Sequence, residues 1–186
     1  MKSVQEVLDH TRQTMEKSIR HLETELAKIR AGKANPSLLE NVLVDYYGTK
    51  VPVHQAASIN TQDARTLIIQ PWDKSMLTPI EKAIQTSNLS LNPQNDGTVI
   101  RITIPPLTEE RRKELTRLVR QTGEEAKIAI RSIRKESLEK LKKLQKEGLP
   151  EDEVKTGENK IQQITDQHIA KVDQHVQIKE KEILTL

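Results

Sequence analysis

The sequence predicts an α+β protein, an elongated three-helix bundle carrying a small inserted α/β domain of βαβ type. Three observations lead there. Three long stretches place apolar residues every three or four positions, the period of an amphipathic helix. Between the first and second of them the chain switches to short β-branched runs separated by Gly, Pro and Asn turns. The 186 residues are 34% hydrophobic and 31% charged, with no Phe and with Trp72, Tyr46 and Tyr47 as the only aromatic residues. Such a chain cannot fill a thick spherical core, whereas long helices sharing a narrow seam need less apolar volume.

The first helix is expected over 3–30, where Val4, Leu8, Thr11, Met15, Ile19, Leu22, Leu26 and Ile29 mark one face and neither Gly nor Pro intervenes. Gly32 suits its C-terminal cap, and Pro36 cannot continue it. Residues 41–53 read as two short strands about Gly48, with Pro52 pointing to an edge strand. Residues 65–70 read as a further strand. Thr78-Pro79-Ile80-Glu81 matches a capping box that opens a short helix. Asn95-Asp96-Gly97 is a turn, and 98–104 alternates like a strand. Trp72, at a strand end after Pro71, is expected to anchor this small domain.

After Pro105-Pro106-Leu107, Thr108 can cap a second long helix, with Glu109 and Glu110 in its first turn, running to Glu147. Gly123 is its one interior breaker, at a cost of about 1 kcal/mol relative to Ala. Gly148-Leu149-Pro150 stops it. A last helix follows, with Ile161, Ile164, His168, Val172, Val176 and Ile183 on its buried side. The bundle is thus expected from 1–30 and 106–186 and the inserted domain from 31–105. The chain crosses between them near 30–36 and 104–106, where Ala31, Gly32, Pro36, Ile104, Pro105 and Pro106 are candidate hinge residues.

Several function classes find no support. The absence of Cys rules out disulfides, Cys-ligated zinc and thiol catalysis, and it fits a reducing compartment. No apolar run approaches the roughly 20 residues of a membrane span, and the N-terminus has no apolar signal core, so the chain reads as mature and cytoplasmic. There is no Walker loop, dinucleotide fingerprint or HExxH. His10, His21, His168 and His175 read as amphipathic seam residues rather than metal ligands. No pair of carboxylates stands out as a general acid and base. No enzyme activity, metal or cofactor is expected.

The positive charge is concentrated. Residues 105–148 carry 13 Lys+Arg against 8 Asp+Glu, while residues 149–186 carry 5 against 8. At about 100° per residue, Lys113, Arg117, Arg120, Lys127, Arg131 and Arg134 fall within about 100° of arc, interrupted by Glu124. Leu115, Val119, Ala126, Ala129, Ile130 and Ile133 fall on the opposite side. A merely solvated helix face mixes acids and bases at i,i+4, whereas residues 111–135 hold 9 bases and 3 acids. Arg predominates, and its planar fork suits bidentate phosphate recognition. The partner is an anion, whether RNA, DNA or an acidic protein. With no aromatic platform on this helix, readout of backbone phosphates and shape is expected rather than of bases.

Four motifs carry a family resemblance. Residues 28–39 (KIRAGKANPSLL) resemble the first-helix exit of bacterial ribosome recycling factors, and Asp45-Tyr46-Tyr47-Gly48-Thr49 with Val51-Pro52 resembles their first hairpin. Residues 105–113 (PPLTEERRK) resemble the start of their second long helix, and residues 127–135 (KIAIRSIRK) their RNA-facing arginine motif. The resemblance runs nearly end to end. It implies a monomer with a three-helix bundle and an α/β domain on two flexible connections, with an L-shaped outline like that of tRNA. It also implies binding to the large ribosomal subunit after peptide release, and splitting of the ribosome with the GTPase elongation factor G, which hydrolyses the GTP. The rRNA contacts it implies are Arg131 and Arg134 first, with Lys127, Lys135, Arg30 and Lys33 beside them and Arg111, Arg112, Lys113, Arg117 and Arg120 extending the surface. Lys33, Lys127 and Lys135 stand where some members have Arg, and Gln121-Thr122-Gly123 is atypical, with an expected local loosening of the helix. Two other readings compete. A coiled-coil interaction protein shares the long seams but leaves the arginine stripe unexplained; a general RNA-binding helical chaperone shares the stripe but needs no GTPase.

Overall fold

The computed structural model describes residues 3–29, 32–89 and 91–185. The chain forms two compact units, one from the first and the last two long helices and the other from the segment between them.

The helical unit consists of α1 (Val4–Lys28), α4 (Glu109–Lys146) and α5 (Glu151–Leu184). Ser3 caps α1 by accepting a hydrogen bond from the Glu6 N–H. Three acids, Glu151, Asp152 and Glu153, fill the first turn of α5, where the helix dipole favours them. The seam contains Leu8, Met15, Ile19 and Leu22 from α1, Leu115, Val119, Ile130 and Leu141 from α4, and Ile161, Ile164, Val172 and Ile183 from α5. Polar residues within it are satisfied. Thr11 Oγ1 donates to Val7 O at 2.7 Å and lies 2.6 Å from Ser137 Oγ. The single Thr11 proton is therefore committed to the carbonyl, and Ser137 donates to Thr11 across the α1–α4 contact.

Gly123 does not loosen α4. The helix is continuous through it, and a Cβ built there would meet Val176 Cγ2 of α5 at 2.5 Å. The glycine is where the two backbones approach. Gly157 of α5 does the same toward Leu141 and Val4, each about 3.0 Å from a built Cβ. His168 is buried in the seam as expected, and His175 is half-buried. His10 and His21, by contrast, are exposed, because each stands one position beyond the buried stripe of α1.

The second unit begins with a 3-10 turn at Pro36–Leu39, capped by Asn35. The hairpin of β1 (Leu43–Tyr46) and β2 (Thr49–Pro52) follows, then a single helical turn, α2 (Val53–Ala56). A four-stranded sheet has the order β3-β4-β6-β5, with β3 (Ala57–Asp63), β4 (Thr66–Pro71), β5 (Pro93–Asn95) and β6 (Ile100–Thr103). Because β6 is antiparallel to both β4 and β5, those two run in the same direction. With α3 (Leu77–Gln85) between them in sequence, they make a β-α-β crossover split by β6. Leu67, Ile69, Ile80, Ile84, Ile100 and Ile102 form its fully buried centre.

Two expectations are corrected in this unit. The capping box at Thr78 does not form: α3 starts two residues earlier than that box implies, at Leu77 with Met76 as its N-cap, and makes no side-chain cap. Asp73 instead accepts from the Ser75 N–H and opens a 3-10 turn that leads into the helix. Trp72 is no anchor. Its side of the β4 end is open, it is 65% exposed, and only its N–H is held, by Ala56 O. Tyr47 is also exposed, and its hydroxyl donates to Asp73 Oδ2 at 2.7 Å.

Gly123→Ala is expected to destabilise the protein by about 1–3 kcal/mol through overpacking against the stiff Val176 side chain. That outweighs the helix-propensity gain of about 1 kcal/mol from Ala. A lower thermal midpoint by circular dichroism checks it; a raised midpoint contradicts the close approach. Trp72, the sole tryptophan, is expected to be quenched by acrylamide as freely as a short tryptophan peptide. Protection from quenching would place it back in the core.

Candidate nucleic-acid interface

The stripe on α4 resolves into two rows. Arg117, Arg131 and Lys135 are exposed and make no ion pair among the described residues. Arg120, Lys127 and Arg134, each seven residues apart, lie along α5 and meet partners there. Arg120 Nε donates to Glu180 Oε1 at 2.7 Å. Lys127 Nζ lies 2.6 Å from Asp173 Oδ1 and 3.7 Å from Glu124 Oε1, with its side chain only 19% exposed. Arg134 Nη1 donates to Gln162 Oε1 at 3.3 Å, and the Gln162 amide donates in turn to Asp166 Oδ1 at 2.8 Å. The Nε atoms of Arg134 and Arg112 are buried without a hydrogen-bond partner.

Two of the cations nearer the start of α4 pair within the helix. Arg111 Nη1 donates to Glu114 at 2.9 Å, and Lys113 lies 3.7 Å from Glu109. Both pairs are well exposed, so each contributes at most about 1 kcal/mol and leaves its cation able to exchange partners. Lys33 is exposed on the second unit. Arg30 and Ala31 lie outside the described residues.

The Asp173 hydrogen bond holds the Lys127 pKa above its ordinary value, against the desolvation that lowers it. The stabilisation from this pair is therefore complete below the ordinary lysine value and is lost as pH rises through the raised one. Lys127 stays charged throughout the physiological range.

Among the candidate hinge residues, Gly32 has a φ of +75°, and a Cβ there would come within 2.9 Å of Leu107 Cγ, so the glycine is required twice over. Pro36 belongs to the first 3-10 turn. The Ala34 N–H donates to Ala64 O and the Ile104 N–H to Arg65 O, at 2.8 and 2.7 Å. Both connections are thus fastened to the turn between β3 and β4. Pro105 and Pro106 lie between Ile104 and α4, outside any regular element.

The partners on α5 escaped the reading of α4 by itself. A signal was present: Asp166, Asp173 and Glu180 are spaced by seven, as are Arg120, Lys127 and Arg134. Two antiparallel helices with matching seven-residue repeats bring such rows together. A second cationic group, Arg12, Lys17, Arg20 and Lys171 around Glu16, lines a groove between α1 and α5. Lys171 and His168 both pair with Glu16, at 3.3 and 3.4 Å. Lys171 holds the Glu16 carboxyl below its ordinary pKa. Among the described residues, no group of three or more His, Asp or Glu is placed to hold a metal ion, and no helix is long and apolar enough to cross a membrane.

Fold and surface together define a helical protein with a small inserted sheet unit and an arginine-rich face on α4. The family model described as Ribosome recycling factor matches residues 22–184. The chain is 53% identical over 182 residues to the ribosome-recycling factor of Geobacillus sp. (strain WCH70), covering 97% of this chain and 98% of that one. It is 54% identical over 183 residues to that of Thermus thermophilus, covering 98% and 99%. Among solved structures, the solution structure of a ribosome recycling factor superposes with a TM-score of 0.74 at 38% identity, covering both chains completely. Another is the T. thermophilus ribosome recycling factor, in models that place it and the E. coli elongation factor G on the E. coli post-termination complex. It superposes with a TM-score of 0.62 at 54% identity, covering 98% of this chain and 99% of that one. The chain belongs to the ribosome recycling factor family.

Removing the partner of Lys127 should be measurable. Asp173→Ala is expected to lower the thermal midpoint modestly, by the roughly 1 kcal/mol of a partly exposed ion pair, with helical content unchanged. An unaltered midpoint would make the pair incidental.

Proposed function

We propose that this protein recycles ribosomes after termination by docking its helical unit on the rRNA of the large ribosomal subunit. Arg131 and Arg134 are the principal contacts, and Arg117, Arg120 and Lys135 extend them. With elongation factor G and GTP, the docked protein splits the post-termination ribosome into subunits. The chain itself performs no chemistry and works as a cytoplasmic monomer; the GTP is hydrolysed by the partner.

The observation that carries this reading is the outer row of α4. Arg117 and Arg131 are exposed and free of carboxylate partners among the described residues, whereas Arg111, Lys113, Arg120 and Lys127 of the same helix are paired. Unpaired arginines on a rigid helix meet phosphates without first giving up a protein contact. Family membership supports rRNA as the polyanion, and a relative placed with elongation factor G on the post-termination complex supports that GTPase as the partner.

The connections serve as the pivot. Since Ala34 and Ile104 are fastened to the sheet unit, the pivot lies before Ala34 on one connection and at Pro105–Thr108 on the other. When the GTPase pushes the small unit, it swings there while the bundle stays docked.

The double substitution Arg131→Ala with Arg134→Ala should weaken binding to isolated large subunits. At about 1.5–3 kcal/mol per charge-assisted contact, each lost arginine corresponds to roughly a 10- to 150-fold weakening. The circular dichroism spectrum should be unchanged. Sedimentation binding at fixed salt measures it, and wild-type affinity in a folded double variant would remove rRNA docking from this face.

A further inference from the structure

We infer that α5 supplies the positioning half of the RNA-binding face: Glu180 and the Gln162–Asp166 pair fix the guanidinium groups of Arg120 and Arg134 for phosphate, while Asp173 withdraws Lys127 from RNA. This rests on the rRNA-docking reading of α4 given above.

The two arginines are held through different nitrogens. Arg120 gives its Nε to Glu180, which leaves both Nη groups without a partner among the described residues, on a side chain that is 69% exposed. Arg134 gives one hydrogen of Nη1 to Gln162 and keeps its Nε in the protein interior. In each case one edge of the fork is held and the rest remains for a phosphate, which binds arginine through paired N–H groups. Gln162 is itself held by Asp166. The neutral amide thus orients Arg134 without setting a carboxylate directly against it, and the charge sits one residue further away.

Lys127 differs in kind. An ammonium is a point charge with no second edge to offer. Asp173 and Glu124 both face it, and its side chain is only 19% exposed, against 69% for Arg120. Two carboxylates thus face this one ammonium, with the Arg131 guanidinium the other charge acting on it. The inner row is therefore a repeat of arginine, lysine, arginine at 120, 127 and 134 in which the lysine ties α4 to α5 and the flanking arginines reach RNA.

Holding a long side chain before binding removes an ordering cost of about 0.5–1.5 kcal/mol per side chain, or roughly a 2- to 10-fold gain in affinity. The test uses the full chain and isolated large ribosomal subunits titrated over a range of KCl. Gln162→Ala and Glu180→Ala should each weaken binding about 2- to 10-fold. Glu180→Gln, which keeps the acceptor oxygen, should bind at least as well as wild type. The effects should vanish in the matching backgrounds: Gln162→Ala should change nothing when Arg134→Ala is present, nor Glu180→Ala when Arg120→Ala is present. Asp173→Asn should free Lys127, tighten binding and steepen the slope of log K against log salt by about 0.7–0.9, one added cation.

If Arg131→Ala weakens binding but Gln162→Ala and Glu180→Ala leave it unchanged or tighten it, α5 does not position the arginines and the docking reading stands. If Asp173→Asn leaves the slope unaltered, the assignment of Lys127 falls. If the wild-type protein shows no salt dependence and Arg131→Ala has no effect, the docking reading fails, and this inference fails with it.

Discussion

The close approach of α4 and α5 at Gly123 is the constraint on which the rest of the helical unit depends. A chain without Phe, and with its only Trp at the surface, gains little from large buried side chains. It gains instead from bringing backbones close, so that Val, Ile, Leu and Met fill the narrow space completely. Gly123 faces Val176, and Gly157 faces Leu141 and Val4, so one glycine on each of the two long helices sets the spacing. The α4–α5 register that results puts residue 120 beside 180, 127 beside 173 and 134 beside 162. Packing in the seam and the charge pattern at its edge are thus two consequences of one alignment.

That alignment divides a surface that a helical projection shows as uniform. Coulomb attraction to a polyanion depends on the net local charge, and a carboxylate within about 3 Å of an ammonium cancels most of what it could offer. Six cations share about 100° of arc in projection, yet they differ in their freedom to bind. Arg131 and Arg117 are uncommitted, Arg120 and Arg134 are held by one edge, and Lys127 is held outright. A long helix can therefore be basic along its whole length and still present phosphate with a few defined positions.

The helices were legible because an apolar period sustained over so many residues, unbroken by Pro, is the mark of an amphipathic helix and of little else. The first was expected over 3–30 and spans Val4–Lys28. The strands were legible where β-branched residues alternate, as in β4 and β6. β3 was not, because Ser58, Asn60, Thr61, Gln62 and Asp63 lie on an edge strand that is mostly exposed. β5 is three residues opening on a Pro, too short to show a period. At α3 a capping-box match was overridden by Asp73, which starts the turn sooner. Trp72 was misread because burial follows from the neighbours a fold supplies, not from residue type alone. The stripe itself was legible from α4. Its division was not, since the acids that hold Arg120 and Lys127 lie 46 to 60 residues further along the chain.

On this reading a chain without chemistry of its own separates ribosomal subunits by binding and moving. Light scattering of post-termination ribosomes mixed with this protein, the cognate elongation factor G and GTP tests that most directly. The expected result is a fall in scattering that requires all three components. Ribosomes that stay intact while the cognate GTPase hydrolyses GTP in the presence of this protein would contradict it.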